Sequence, residues 1–136
     1  MSNFFYEKPE IIKESLLTEQ AKNWALSFIN PEKAKERWQK NPKLNSAQLR
    51  KYYHEVKSLE ARVEAEGFEK MKPMIKMLKS KVAYACPSDG RDRKIPMEFR
   101  RYIETMVDHV EKKEDFMAFA KCFEAVVGYF YGEGGR

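Results

Sequence analysis

The apolar residues of this chain recur at helical spacing along nearly its whole length. Leu49, Tyr52, Val56, Leu59 and Val63 follow one another in steps of three and four residues, which places them on one face of an α-helix. No segment alternates apolar and polar residues over the length of a half-buried strand, so the pattern predicts no strands. The chain is therefore expected to fold as an all-α protein, a compact helical bundle of five or six helices.

The N-terminal part of this pattern is a loosely periodic helical region over residues 11–28, which Asn30 ends. Pro31 then suits the first position of a short helix, "PEKAKERWQK", over residues 31–40, with Trp38 on its apolar side. The sequence thus predicts two helical segments before the longest helix begins.

The longest predicted helix starts at Asn45 or Ser46, because either side chain can accept a hydrogen bond from the first free backbone N–H groups. Gly67 interrupts or bends this helix, and the same apolar spacing then resumes over residues 71–85. Pro73 lacks a backbone donor and is best placed in the first turn of this second helix.

A loop and two further helices complete the pattern. The segment "PSDGRDRKIP", residues 87–96, has proline at both ends and Ser-Asp-Gly inside, which is typical of a loop. Apolar residues then recur at helical spacing over residues 99–110 and 116–130, and the glycines of "GEGGR" end the last helix. The regular stripe of that helix predicts self-association, and the length of 136 residues predicts one domain, residues 1–136.

Composition narrows the class of protein. A hydrophobic fraction of 43% with 13% aromatic residues is too apolar for a disordered chain. The apolar runs are far shorter than the roughly 20 residues of a membrane span, and "MSNFFYEKPE" lacks the basic start and apolar core of a signal peptide. We therefore expect a cytoplasmic protein without membrane contact, in which Cys86 and Cys122 are buried thiols.

Catalytic and metal sites have little support in the sequence. His54 and His109 are the only histidines, and neither has a partner at the spacing of a zinc site. Cys86 with a histidine is a conceivable nucleophile and base, but no local signature supports the pair. We expect no catalytic residue, no metal and no cofactor, and an enzyme that uses Cys86 is the weakest of the alternatives.

Basic residues are concentrated in one quarter of the chain. Residues 70–101 hold 10 Lys/Arg against 3 Asp/Glu, a balance of +7, whereas the whole chain has a net charge of +5. Within this quarter Lys72, Lys76 and Lys79 line one face of a helix. Such a density of cations favours binding of a polyanion over a face that is merely solvated.

The long helix adds to this basic surface. Arg50, His54 and Lys57 share one polar face of it. Two nearby tyrosines, Tyr53 and Tyr84, have rings on which bases can stack. Aromatic residues beside amphipathic helices are more often core residues, which is the interpretation favoured for Tyr84.

Three segments also follow one another in an order that is typical of one protein family. Residues 45–56, "NSAQLRKYYHEV", fit a helix start of the form Ser/Thr-x-Gln-Leu/Ile-Arg-Lys-Phe/Tyr. Residues 77–86, "MLKSKVAYAC", fit a Leu-x-x-Lys-x-x-Tyr-Ala helix that leads into a basic loop, and residues 116–135 fit a C-terminal helix with Phe-Glu-Ala, an aromatic end and glycines. The set resembles the small helical subunit of the type III-A CRISPR effector, the Csm complex. The resemblance covers residues 45–136, and residues 1–44 are less family-like.

This resemblance implies a non-catalytic subunit, repeated as a short filament beside the backbone subunits, that helps to hold guide RNA and target RNA. The residues that match its first two motifs are Gln48, Arg50, Lys51 and Lys81. The family arginine after Tyr-Ala is displaced here, because "CPSDGR" separates the motif from the next arginine. Either Arg91 or Arg93 takes its place.

Charge pattern and resemblance together predict a set of RNA-binding residues. They are Gln48, Arg50, Lys51, Lys57, Lys72, Lys76, Lys79, Lys81, Arg91, Arg93, Lys94, Arg100 and Arg101. The expected partners are CRISPR guide RNA, target RNA, the other subunits of the Csm complex and copies of the chain itself. The alternative is a helical adaptor that binds protein through its apolar stripes, with lysines that serve only solubility.

Overall fold

The structure, a computed structural model, describes residues 3–136, so Met1 and Ser2 of the predicted domain lie outside it. A short hairpin opens the chain, with strand β1 (Tyr6–Lys8) antiparallel to β2 (Ile11–Ile12). The helices that follow are α1 (Glu14–Leu17), α2 (Glu19–Ile29), α3 (Ser46–Glu66), α4 (Phe68–Lys76), α5 (Leu78–Ala85), α6 (Met97–Asp108) and α7 (Lys113–Gly132).

The predicted all-α bundle is confirmed, since helices dominate the described residues and the only sheet in them has two strands. One continuous apolar core runs through the bundle. At its centre the ring of Phe99 lies 5.1 Å from that of Phe28 and 6.2 Å from that of Phe123, between centroids. These contacts join α2, α6 and α7, so the N-terminal region packs on the rest of the bundle.

The prediction that the chain has no strands was wrong at its N-terminus. Strands of three and two residues are too short to show an alternating pattern, and the turn between them has Glu10 at a φ of +68°. The hairpin is held from outside, because the Tyr6 hydroxyl donates to the Glu114 carbonyl at 2.6 Å. Its formation therefore depends on the start of α7, which is distant in sequence.

The predicted helix over residues 31–40 was also wrong. Residues 31–43 form an irregular segment, and Trp38, the one large apolar side chain expected to anchor the helix, is 51% exposed. A helix that is polar around its whole circumference gains little from packing. The good helix formers of this segment are therefore insufficient to keep it helical.

A network of hydrogen bonds holds this segment in place instead. The Glu98 carboxylate, which is largely buried in α6, accepts from the Glu32 N–H at 2.8 Å and from the Asn41 side-chain amide at 2.9 Å. The Asn41 side-chain oxygen in turn accepts from the Met97 N–H at 2.7 Å. Buried polar groups that are fully paired stabilise one specific arrangement, so both ends of the segment are fixed to the start of α6.

The predicted start and end of the long helix are confirmed. Asn45 caps α3, because its side chain accepts from the Gln48 N–H at 2.8 Å while the Gln48 side chain accepts from the Asn45 N–H at 3.0 Å. Gly67, at a φ of +96°, separates α3 from α4. All five residues of the predicted apolar stripe of α3 are buried.

The placement of Pro73 in the first turn of the next helix was wrong. Helix α4 already begins at Phe68, so Pro73 lies in its second turn. Phe68 and Met71 are both buried, and their burial favours helix on the N-terminal side of the proline despite one missing hydrogen bond. The helix ends soon afterwards, at Lys76, and α5 starts beyond Met77.

Candidate nucleic-acid interface

Three predicted lysines of α4 and α5 lie against the C-terminal end of α6, and we call them the α6 lysines: Lys72, Lys76 and Lys79. Their partners are Glu111 for Lys72 at 3.2 Å, the Val107 carbonyl for Lys76 at 2.8 Å, and Asp108 for Lys79. A cation at a helix C-terminus interacts favourably with the unpaired carbonyls and the helix dipole. The α6 lysines therefore join α4 and α5 to α6, and much of their charge is balanced within the chain.

A groove of about 680 Å³ lies between α3, α5 and the loop before α6. We call it the α3–α5 groove. The polar and aromatic side chains that line it are Gln48, Lys51, Tyr52 and Glu55 of α3, Ser80, Lys81 and Tyr84 of α5, and Lys94 of the loop. The structure thus brings together four of the predicted RNA-binding residues that are far apart in the sequence.

The charge of the α3–α5 groove is only partly balanced. Lys81 pairs with Glu55, the one carboxylate among its lining residues. Lys51 and Lys94 are exposed, and neither side chain has a hydrogen bond or ion pair within residues 3–136. Two ammonium groups in this groove are therefore available to an anionic ligand.

Tyr84 faces solvent, so its interpretation as a core residue was wrong. Its side chain is 90% exposed, although Val82, two residues earlier, is buried. Residues two positions apart lie on nearly opposite sides of a helix, and the apolar stripe of α5 uses the side of Val82. Tyr53 is less available, because its ring packs edge-on against Phe123 with centroids 5.8 Å apart.

Gln48 has two structural bonds that set one end of the groove. Its side chain completes the cap of α3 together with Asn45, and its amide nitrogen donates to the Lys94 carbonyl at 2.7 Å. The glutamine of the helix-start motif therefore connects the start of α3 to the loop. This contact fixes the backbone of Lys94 at the start of α3, so that Lys94 and Lys51 line the same groove.

The loop over residues 87–96, which we call the basic loop, contains two arginines with different surroundings. The Arg93 guanidinium donates to the carbonyls of Pro87 at 2.9 Å and Lys40 at 3.0 Å. Arg91 is exposed, and its guanidinium lies 5.0 Å from the ring centroid of Trp38. Arg93 thus holds the loop, whereas Arg91 presents its charge outward.

The two arginines at the start of α6 differ in the same way. Arg100 donates to the Cys86 carbonyl at 2.8 Å and pairs with Glu104 at 3.2 Å, so its charge is used within the chain. Arg101 is exposed and its side chain has no such partner within the described residues. Only Arg101 of this pair is placed to meet a ligand.

The polar face of α3 is exposed as predicted. Arg50, His54 and Lys57 all lie at the surface, in line along the helix. Lys57 pairs with Glu60 at 2.9 Å, and this hydrogen bond raises the pKa of the Lys57 ammonium. Arg50, in contrast to Lys57, has no hydrogen-bond or ion-pair partner within residues 3–136.

Both cysteines are buried and unpaired, as predicted. Burial raises the pKa of the Cys86 thiol and raises that of Cys122 to about 12. A nucleophilic cysteine needs a lowered pKa, because the thiolate is the reactive form. The surroundings of Cys86 thus favour the unreactive thiol over the form that an enzyme would use.

Three further features of the described residues concern self-association, metal binding and membrane contact. The apolar stripe of α7 is buried in the core of the chain itself, so the stripe does not support self-association, which stays a prediction. Within residues 3–136 no cluster of three or more His, Cys, Asp and Glu is arranged to hold a metal ion. No helix of this part of the chain is long and apolar enough to cross a membrane.

The irregular segment over residues 31–43 contributes a set of exposed cations that the sequence reasoning missed. They are Lys33, Lys35, Arg37, Lys40 and Lys43. The signal was present in the composition, because the segment holds five Lys/Arg against two Asp/Glu. It was missed because residues 31–40 were predicted to form a helix and because the charge balance was taken over residues 1–44 as a whole.

Comparison with known proteins agrees with the motif-based resemblance. The chain matches the family model described as Csm2 Type III-A over residues 14–135, a range that includes α1 and α2 as well as the three motifs. Neither the curated proteins nor the solved structures gave a significant match. The match to the family model covers most of the chain and confirms the predicted family. The chain therefore belongs to the Csm2 Type III-A family, the structural small subunits of the Csm effector complex in type III-A CRISPR systems.

Proposed function

We propose that this chain is a non-catalytic, RNA-binding subunit of the Csm complex that contacts the backbones of guide RNA and target RNA through the α3–α5 groove. One observation carries the proposal: Lys51 and Lys94, which have no partner within the described residues, line the same groove as the exposed ring of Tyr84. In the assembly we expect several copies of the chain beside the other subunits, in the cytoplasm.

The two lysines supply affinity that does not depend on sequence. A bound cation displaces condensed counterions from RNA, and the logarithm of the binding constant falls with the logarithm of salt concentration by about 0.7 per phosphate of a single strand. Lys81 adds a third contact when a phosphate competes with Glu55 for its ammonium group. A groove with such contacts suits a subunit that must accept any guide sequence.

Tyr84 adds a contact that cations alone do not provide. Stacking of a base on an aromatic side chain contributes about 1–3 kcal/mol and tolerates every base. An exposure of 90% leaves the Tyr84 ring accessible for such stacking. The combination of lysines and an aromatic ring distinguishes this groove from a merely solvated helix face.

The remaining predicted residues divide into two groups under this proposal. Arg50, Arg91 and Arg101 are exposed and extend the surface as further phosphate contacts. The others act mainly within the chain, by positioning the basic loop, by joining helices or, for Lys57, by pairing with Glu60 on the same helix. These are Gln48, Lys57, Arg93, Arg100 and the α6 lysines.

The test measures binding of a fluorescently labelled oligouridine to the full chain by fluorescence anisotropy at several salt concentrations. We expect Lys51→Glu with Lys94→Glu to weaken binding more than tenfold and to leave the circular dichroism spectrum unchanged. Lys22→Glu with Lys121→Glu is the matched control, because it changes the net charge equally at exposed sites on α2 and α7. An equal loss of affinity in both variants would contradict a specific surface.

The adaptor alternative makes a different prediction for the same measurement. The apolar stripes through which an adaptor would bind protein are buried on α3 and on α7. An adaptor whose lysines serve only solubility would show RNA binding that is weak and independent of salt. A steep salt dependence that the groove variant reduces would exclude this alternative.

A further inference from the structure

Residues 31–43 and the basic loop are distant in sequence but pack against each other next to the α3–α5 groove. The Lys40 N–H donates to the Gly90 carbonyl at 2.7 Å, and the Gln39 side-chain amide donates to the Asp89 carbonyl at 3.4 Å. The Arg93 guanidinium also links the two segments, because it donates to the Lys40 carbonyl. Residues 31–43 and the basic loop therefore form one continuous surface.

Gly90 allows this close approach. Its φ of +87° is rarely adopted by residues with a side chain, and a Cβ at this position would lie 2.5 Å from Cγ of Gln39. The Asp89 side chain supports the same turn by accepting from the Arg91 N–H at 2.9 Å. The sequence "SDGR" thus encodes the backbone shape that brings the two loops together.

The joined surface carries an excess of cations, since Lys and Arg residues outnumber the four carboxylates Glu32, Glu36, Asp89 and Asp92 of the same two segments. The exposed side chains without a hydrogen bond or ion pair within residues 3–136 include Lys33, Lys35, Arg37 and Lys40. Arg91 adds a fifth from the other loop. Such an excess of exposed cations favours binding of a polyanion.

An aromatic ring lies among these cations. Trp38 remains 51% exposed although the Arg91 guanidinium lies over its ring. Binding sites for single-stranded nucleic acid combine a cationic track for the backbone with aromatic rings on which unpaired bases stack. Bases in a duplex are already stacked on one another and leave such a ring without a partner.

We infer that residues 31–43 and 87–93, which we call the two-loop platform, bind single-stranded RNA, with an unpaired base stacked on Trp38 and the backbone held by the surrounding cations. The inference rests on the proposed RNA-binding function and adds the form of RNA that this part of the surface takes. It assigns to the two-loop platform an unpaired stretch of guide or target rather than the paired region.

The first experiment uses Trp38 as its own reporter. The chain has two tryptophans, so Trp24→Phe leaves Trp38 as the only one. We expect oligouridine to quench its emission over the same concentration range in which anisotropy reports binding, because a stacked base quenches indole fluorescence. Inorganic polyphosphate has charge but no base and is expected to leave the emission unchanged. Unchanged emission at saturating oligouridine, or equal quenching by polyphosphate, would overturn the inference.

A second experiment separates this inference from the proposed function. We expect Trp38→Leu to weaken binding of oligouridine about tenfold, as the loss of one stacked base predicts, and to leave binding of an RNA duplex unchanged. If Trp38→Leu binds oligouridine like the parent chain while Lys51→Glu with Lys94→Glu weakens it, the two-loop platform is wrong and the groove remains. If neither variant weakens binding, both proposals fail.

Discussion

The α6 lysines and the two unpartnered lysines of the α3–α5 groove look alike in the sequence but have different surroundings in the structure. Lys76 and its neighbours meet the carbonyls and carboxylates at the end of α6. Lys51 and Lys94 share a groove with a single carboxylate, and Lys81 already pairs with it. The positive charge of a segment therefore does not locate a binding surface. What distinguishes the two groups of lysines is whether carbonyl and carboxylate groups of the chain lie beside each ammonium group.

The same contrast recurs within one loop. Arg93 and Arg91 are two residues apart, yet one guanidinium is surrounded by backbone carbonyls and the other lies over an exposed ring. A guanidinium that donates to several backbone carbonyls stabilises the fold, whereas one that projects from the surface is available to a ligand. Arg91 is for this reason our choice for the place of the family arginine.

The largest expected effect comes from reversing charge at the end of α6. Lys76→Glu with Lys79→Glu places two carboxylates against the Val107 carbonyl and Asp108, and we expect a loss of about 3 kcal/mol in the free energy of unfolding. Urea denaturation followed by circular dichroism measures it. Unchanged stability together with lost oligouridine binding would reverse the comparison and make the α6 lysines the RNA surface.

Arginine-to-lysine changes in the basic loop test the contrast at shorter range. Arg93→Lys keeps the charge but cannot donate to the Pro87 and Lys40 carbonyls together, so we expect a loss of about 1–2 kcal/mol in unfolding free energy. Arg91→Lys serves as its matched control and should leave stability unchanged within about 0.5 kcal/mol. Thermal unfolding of both variants gives the difference, and equal stabilities would show that the Arg93 contacts do not hold the loop.

Neutralising the groove lysines affects binding rather than folding. We expect Lys51→Gln with Lys94→Gln to reduce the slope of log affinity against log salt by about 1.4, because each lysine accounts for about 0.7. Unfolding free energy should change by less than about 0.5 kcal/mol, since both side chains are exposed. The comparison would break down if the salt slope stayed the same while affinity fell.

The smallest effect tests the paired lysine of the groove. Glu55→Gln removes the carboxylate that competes with RNA for Lys81, and we expect oligouridine to bind about twofold tighter, in line with the low energy of an exposed ion pair. The control is Glu60→Gln, which removes the ion-pair partner of Lys57 on the same helix. Weaker binding after Glu55→Gln would mean that this carboxylate supports the groove.

Much of the fold was predictable because it depends on local periodicity. The buried stripe of α3, the cap at Asn45 and the interruption at Gly67 all follow from residue types within a few positions of one another. The hairpin and the segment over residues 31–43 were not predictable in this way. The first depends on Tyr6 reaching Glu114, and the second on a buried carboxylate 66 residues away from the backbone N–H that it accepts.

The candidate site was predictable only as a list of basic residues. Family membership, the concentration of cations in residues 70–101 and the helix faces were readable from the chain itself, because they are properties of neighbouring residues. Tertiary structure decided which cations remain available, because the groups that occupy them come from elsewhere. The partner of Lys76 lies 31 residues away and that of Arg93 lies 53 residues away. Only folding places such a carbonyl or carboxylate beside one lysine and leaves another, of the same chemistry, without a partner.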